Sequence, residues 1–250
     1  MNGCSYKELI PEVQDAIGSR YLSGSVILSD SKNTKEKQDE LKRLIFERLN
    51  TGGITLTKQE IRNAVNTSKM NTMINDFADN NDTFNNLWHS KEDSKNRMGN
   101  REMILRFFAY KDLSYNNNTS VGTSQALDYY SAKSVYFDES KVKNLKLYIE
   151  NTLDLVKKLF GEQAFNKNNG TKSEKMIFDT VMLACSMCID KEVCLNGDMD
   201  IENNVQLKND FLESNRDLFN GKYTSFSKVL ERQEAFYNFL NSEIINGTSN

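Results

Sequence analysis

The chain has 250 residues, with 32 basic against 35 acidic side chains, a formal net charge of −3 and four cysteines. That length can bury a sizeable core, favouring one large domain or a domain with a fragment attached, and four cysteines make no disulfide framework in a chain this size. The balanced charge excludes nucleic-acid binding by charge alone while leaving room for a local basic face.

No apolar run is long enough to span a membrane and no signal peptide opens the chain. A soluble, cytoplasmic protein without membrane contact is the expectation. One proline, Pro11, favours helices, because prolines accumulate in loops and at sheet edges. Pro11 suits a first helical turn, so a short helix is expected from there to Tyr21. Ser25-Val26-Ile27-Leu28-Ser29 is the one segment that reads as a strand: short, β-branched and bounded by glycine and polar residues. Asn33-Thr34 opens a helix to about Leu49, with Leu41, Leu44, Ile45 and Leu49 on the helical period. Beyond Thr57 only helices and loops are expected, with helices near 58–66, 69–79, 82–89, 101–111, 123–133, 139–160, 173–192, 205–220 and 225–245. In 139–160 an apolar stripe of Val142, Leu145, Ile149, Leu153, Val156 and Phe160 ends at Gly161, where a C-terminal glycine belongs. Helix 173–192 is apolar on nearly every side, the mark of a central buried helix. Asn166 to Gly170 and Asn196 to Asn204 read as exposed connections. A lone strand leaves its backbone donors and acceptors unpaired, so either the segment is not a strand or its sheet lies partly outside this chain.

The segment from Ile45 to Ala64 is the most informative. Phe46 and Asn50 lie four residues apart and share a helical face. Gly52 and Gly53 permit the backbone turn that ends the helix. Thr57-Lys58-Gln59-Glu60 is a capping box, with Leu56 and Ile61 placed for a hydrophobic staple. A polar side chain is thus presented beside a glycine-bent corner, a geometry that suits a site and equally an ordinary helix–turn–helix.

Elsewhere the chemistry is sparse. Cys185-x-x-Cys188 followed by Cys194 invites a zinc reading, but Cys4 is remote, and spacing of three on an apolar helix describes one buried face. No metal centre is expected. His89 is the single histidine and cannot build a centre that needs two; a solvated place at a helix end is expected. No P-loop, Rossmann glycine fingerprint or His-Glu-x-x-His motif occurs. In the amphipathic helix at Arg101–Ala109, Arg101 and Arg106 read as solvated, the alternative being an arginine facing phosphate. Tyr129-Tyr130 and Phe236-Tyr237-x-Phe239 read as packing rather than as stacking platforms for bases.

The block Phe46-Glu47-Arg48-Leu49-Asn50-Thr51-Gly52-Gly53, continuing through Leu56-x-x-Gln59-Glu60-Ile61-Arg62-Asn63-Ala64, resembles a signature of the GmrSD-type restriction family, also called domain of unknown function 262. Asn2 to Leu9, Arg101 to Ala109 and Lys172 to Met182 resemble further stretches of that family. The resemblance implies a mainly α protein: a multi-helix bundle preceded by a small remnant of a ParB/sulfiredoxin-like α/β domain. It divides the chain into a partial ParB-like segment at 1–56 and a helical domain at 57–250. The family's Phe-x-x-x-Asn motif matches Phe46 and Asn50, so the resemblance implies nucleotide binding at Phe46, Arg48, Asn50, Gly52 and Gly53, with Thr57 and Glu60 in a structural capping role. Its other nucleotide-site motif, Asp-Gly-Gln-Gln-Arg, is absent from the sequence, as is the family's histidine-dependent nuclease domain. The chain therefore resembles the C-terminal portion of a family member.

The expectation is a component of a GmrSD-like modification-dependent restriction or phage-defence system, nucleotide-sensing or regulatory rather than DNA-cutting. The alternative is a stand-alone interaction or nucleic-acid-binding module that keeps the family fold without its chemistry. The family implies binding or hydrolysis of nucleoside triphosphates. Without the second motif, no activity is expected of the chain alone and no cofactor is expected to bind it tightly; a nucleoside triphosphate with Mg would belong to a complete assembly. The expected partner is a second polypeptide carrying the missing ParB-like half or a nuclease subunit, or a second copy of the chain. DNA contact is not indicated by charge.

Overall fold

The structure is a computed structural model that describes residues 5–21, 34, 37–38, 41–42, 44–45, 48, 56–89, 98–116, 121–167, 170, 173–193, 199–219 and 225–245. The chain divides into two compact units, Met1–Leu41 and Lys42–Asn250. The boundary expected at 56/57 falls inside the second unit. The strand expected at 25–29 lies outside the described residues.

In the first unit a single 3₁₀ turn, Tyr6–Glu8, precedes helix α1, Pro11–Gly18. Pro11 occupies the first turn, where its missing N–H costs no hydrogen bond. The Gln14 amide fastens the turn to the helix by donating to the carbonyls of Tyr6 and Leu9, at 3.0 and 2.8 Å.

The second unit is helical, as the sequence pattern requires, and the described residues contain no strand. Described residues between Lys37 and Arg48, a stretch that straddles the two units, are helical where expected. Then follow α2 (Lys58–Val65), α3 (Lys69–Asn80), α4 (Asp82–Leu87), α5 (Gly99–Asn116), α6 (Thr123–Ser134) and α7 (Glu139–Phe160). A 3₁₀ turn at Gly161–Gln163 leads on towards α8 (Lys175–Asp190), α9 (Ile201–Ser214), α10 (Arg216–Phe219), α11 (Phe226–Phe239) and a π turn at Leu240–Ile245. Side-chain caps open several of these helices: Ser68, Asn81, Asp138 and Asp200 each accept from the backbone N–H three residues on.

Helix α8 forms the centre. It packs against α11, α7 and α5, while α6 lies on α5 and α9 on α7. Its Ile177, Phe178, Val181, Met182, Leu183, Ala184, Cys185 and Cys188 are all buried. Phe178 gathers Trp88 and Phe165, at ring-centroid distances of 5.3 and 4.7 Å. A second aromatic group joins Phe211, Phe236 and Phe239. Phe236 and Tyr237 are therefore packing residues, as the sequence suggested.

Two connections differ from expectation. Asn166 is buried: its side-chain oxygen accepts from the Ser173 hydroxyl at 3.1 Å, and its carbonyl accepts from the Lys208 ammonium at 2.8 Å. Asn204 is also buried, inside α9, where its amide donates to the Leu159 carbonyl at 3.1 Å. Both side chains satisfy backbone carbonyls or polar partners in places water does not reach, so their polarity reports burial with partners rather than exposure.

Candidate functional site

The corner implicated by the sequence is described only on its C-terminal side. Phe46, Asn50, Gly52 and Gly53 lie outside the described residues. Arg48 is helical and exposed. Thr57 and Glu60 form the expected capping box: the Glu60 N–H donates to Thr57 Oγ1 at 3.2 Å and the Thr57 N–H to the Glu60 carboxylate at 2.7 Å. The next turn is anchored in the bundle. Gln59, Ile61 and Arg62 are buried, and the Arg62 guanidinium donates to Asp128 at 2.7 Å, Gln59 at 3.3 Å and Ser124 at 3.3 Å. Two of those partners stand on α6, so α2 cannot shift without breaking a charge-assisted contact.

The described body also holds a cavity of about 510 Å³ between α5, α6 and α7. Phe108, Tyr130, Phe137 and Tyr148 supply aromatic rings to its wall, and Lys111, Asp112 and Asn144 supply polar groups. The helical period explains the gathering. Phe108, Lys111 and Asp112 share one face of α5, three and four residues apart, while Leu145 and Tyr148 do the same on α7. Phe108 and Tyr130 stack in parallel, with centroids 6.3 Å apart, and Phe137 meets Tyr130 edge-on at 5.9 Å.

Lys111 is the charged centre of this wall and is 7% exposed. Its ammonium donates to the Ser186 hydroxyl at 3.0 Å and to the Asp190 carboxylate, and it lies 5.5 Å from the centre of the Tyr148 ring. The Tyr148 hydroxyl donates to the other Asp190 oxygen at 2.7 Å. Burial pushes the Lys111 ammonium below its ordinary pKa, and Asp190 opposes that shift. Tyr130 is raised, by burial first and then by the negative charge of Asp112. It therefore stays a neutral phenol that can donate one hydrogen bond and accept others.

A second polar centre lies where α5, α8 and α11 meet. Arg106 grips buried Asp179 with both sides of its fork, the Nε–Oδ1 bond measuring 3.1 Å. Burial alone would lower the Arg106 pKa, but the charge and hydrogen bonds of Asp179 raise it. The guanidinium also covers the Tyr110 ring at 5.2 Å, and the Tyr110 hydroxyl shares a 2.8 Å hydrogen bond with Thr123. Burial raises the Tyr110 pKa to about 12. Arg232 on α11 is 1% exposed, reaches the Leu218 carbonyl at 3.4 Å and leaves its Nε without a partner. The reading of Arg106 as solvated is thus corrected. Asp179 sits on the otherwise apolar α8 and draws the guanidinium inward, because a buried carboxylate requires a cation beside it.

Arg101 is tied to Asn75 at 2.9 Å and to Asp79 at 2.7 Å, leaving its fork occupied. His89 is half-buried rather than solvated, and its Nδ1 is shut off from water without a partner. Ser173 holds its backbone there: the His89 N–H donates to the Ser173 hydroxyl at 3.0 Å and the His89 carbonyl accepts from the Ser173 N–H. Cys185 and Cys188 are buried thiols on α8, and Cys4 and Cys194 lie outside the described residues. Burial raises Cys188 to about 11 and Cys185 well above its ordinary value, the opposite of what metal ligation or nucleophilic attack needs. Tyr129 is exposed, while its neighbour Tyr130 is packed.

Sequence reasoning missed the partners Asp179, Ser186 and Asp190. Their signal is three polar residues on the helix with the most apolar surroundings, where each needs a cation or donor from a neighbouring element. No helix of the described residues is long and apolar enough to cross a membrane. No family model matches the chain, and neither a curated protein nor a solved structure matches it.

Proposed function

We propose that this chain is a regulatory, non-cutting component of a GmrSD-like modification-dependent restriction or phage-defence system. In this reading the corner at Phe46–Gly53 meets a nucleotide, with Mg in the complete assembly. A second polypeptide carrying the Asp-Gly-Gln-Gln-Arg motif completes the site. One observation carries most of the weight: the segment just after the corner is fixed to the bundle through Arg62 and its partners on α6. The C-terminal end of the block that resembles the family is thereby held to the bundle, which in this reading makes the block a joint between the nucleotide site and the helices. A joint of that kind lets an event at the corner be felt by the bundle. The sequence resemblance over residues 45–64 is the second support.

The test is made in cells and on the purified chain. The gene is expressed with its genomic neighbours, and the host is challenged with phages carrying modified and unmodified DNA. Protection confined to modified DNA is expected, and it should be lost in Asn50→Ala while the melting temperature of that variant stays close to the parent. The purified chain alone should cut no DNA. Absence of protection would defeat the reading. An Asn50→Ala variant that loses about 0.5–2 kcal/mol of stability and still protects would make Asn50 a structural cap. Tight DNA binding by the chain alone would put the nucleic-acid-binding module in front.

A further inference from the structure

We infer that the cavity between α5, α6 and α7 is a binding site for a neutral, flat nitrogen heterocycle of one or two fused rings. The inference stands apart from the defence reading and does not need it. Size comes first: about 510 Å³ falls within the range of small-molecule sites, roughly 300–1,000 Å³. Charge comes second. The two ionic groups of the wall that are largely withdrawn from solvent, Lys111 and Asp112, already have counterparts. Lys111 holds Asp190, and both oxygens of Asp112 hold Lys133, at 2.7 and 2.9 Å. Asp138 and Lys141 are exposed at the rim, where the Lys141 ammonium sits 3.9 Å from the centre of the Phe137 ring and Asp138 caps α7 by accepting from the Lys141 N–H at 2.8 Å. A charged guest lodged among the aromatic rings would have to open the Lys111 or the Asp112 pair, whereas a neutral guest leaves both closed.

The polar side chains of Tyr130, Ser140 and Asn144 on the wall are, by contrast, not taken up by hydrogen bonds among the described residues. The Tyr130 side chain is 3% exposed, and its hydroxyl makes no hydrogen bond among the described residues. Ser140 and Asn144 stand exposed at the rim, where a guest can reach them. A phenol and a carboxamide each offer both a donor and an acceptor, so a guest with both functions on its edge satisfies them. An aliphatic guest would fill the space and leave the Tyr130 hydroxyl unpaired, which is unfavourable in a buried place. The rings of Phe108, Phe137 and Tyr148 supply stacking or edge contacts for a flat body.

The experiment is calorimetric titration of the full chain with 2-quinolinone and adenine, with hexanoate, spermidine and an oligothymidylate as comparisons. Saturable one-to-one binding of the two heterocycles is expected, with none of hexanoate or spermidine. Tyr130→Phe and Asn144→Ala should each weaken it about tenfold, the effect of one lost hydrogen bond. Asn144 is exposed, so its variant keeps the fold intact. Leu145→Trp, which fills the cavity, should abolish binding while its melting curve still shows a folded protein. Three results would overturn the inference: no saturable binding of either heterocycle, undiminished binding in Asn144→Ala and Tyr130→Phe, or binding of the oligothymidylate in place of the free rings.

Discussion

Lys208 shows how a single buried side chain can set the pH response of the fold. It is fully buried, and its amine donates to the backbone carbonyls of Gln163 and Asn166, with no carboxylate paired to it among the described residues. A neutral amine has two N–H groups, which is what two carbonyls require. Burial lowers its pKa from the ordinary 10.5 to about 8. Between those values the unfolded chain holds a proton that the folded chain lacks. The contribution of Lys208 to stability therefore rises with pH across the window, is complete above the unfolded value, and is lost as pH falls through about 8. Cys185 and Cys188 act in the opposite sense, since their folded values are raised. The measurement is thus a difference: urea unfolding of the parent and of Lys208→Met at intervals from pH 8 to 10.5. The parent should gain on the variant by about 3 kcal/mol over the window, at 1.36 kcal/mol per unit. A difference that stays flat would mean that Lys208 keeps its proton in the fold. The same accounting of buried charge explains Arg106 and Asp179, where removing either partner alone strands the other.

Among the elements, the join between α7 and the turn that follows depends on one glycine. Gly161 has φ +53° and ψ −148°, a region that side-chain-bearing residues avoid, and its N–H donates to the Lys157 carbonyl to close the helix. A Cβ there would also stand 3.3 Å from Ile201 Cγ2 at the start of α9. Gly161→Ala should accordingly destabilise the protein by about 1–3 kcal/mol, read from chemical unfolding. It should leave α7 helical, because 22 residues with a buried face on α8 do not need that cap to form. A loss well under 1 kcal/mol would show that the turn relaxes into another conformation. The capping box at Thr57 and Glu60 plays the corresponding part at the start of α2, where the loss of a cap typically costs about 1 kcal/mol.

For the molecule as a whole, the two compact units make different demands. The unit Lys42–Asn250 contains the whole described core, from Met70 in α3 to Ile245 in the final turn. A core of that extent should fold without the preceding residues. A fragment covering 42–250 is expected to melt in one cooperative transition, seen by circular dichroism and by tyrosine fluorescence at the same temperature. Non-coincident transitions would show that the first unit is needed for the second to pack. In the described part of the unit Met1–Leu41, the helix and turn are exposed or half-buried, and no residue of α1 is buried. If that unit carries a contact with a second copy of the chain, light scattering should show association for the full chain and none for the fragment.

The sequence by itself determined the helices. Apolar spacing, Pro11, the cap at Thr57 and the stop at Gly161 are local signals, each read within a few residues, and they placed α2 to α8 to within a few residues of where they lie. Local pattern also marked α8 as the central helix, because a helix apolar on every side has to be enclosed. What only the tertiary structure decided is which polar residues on those helices meet. Arg106 with Asp179 and Lys111 with Asp190 are separated by 73 and 79 residues, and no periodicity links them. Arg62 with Asp128, and Lys208 with the turn at Gln163, are likewise set by packing. The cavity is the same kind of fact, for it exists only because three helices bring their aromatic faces to one place. Periodicity tells each helix which side to bury; which charge waits on the other side depends on the neighbour it is buried against.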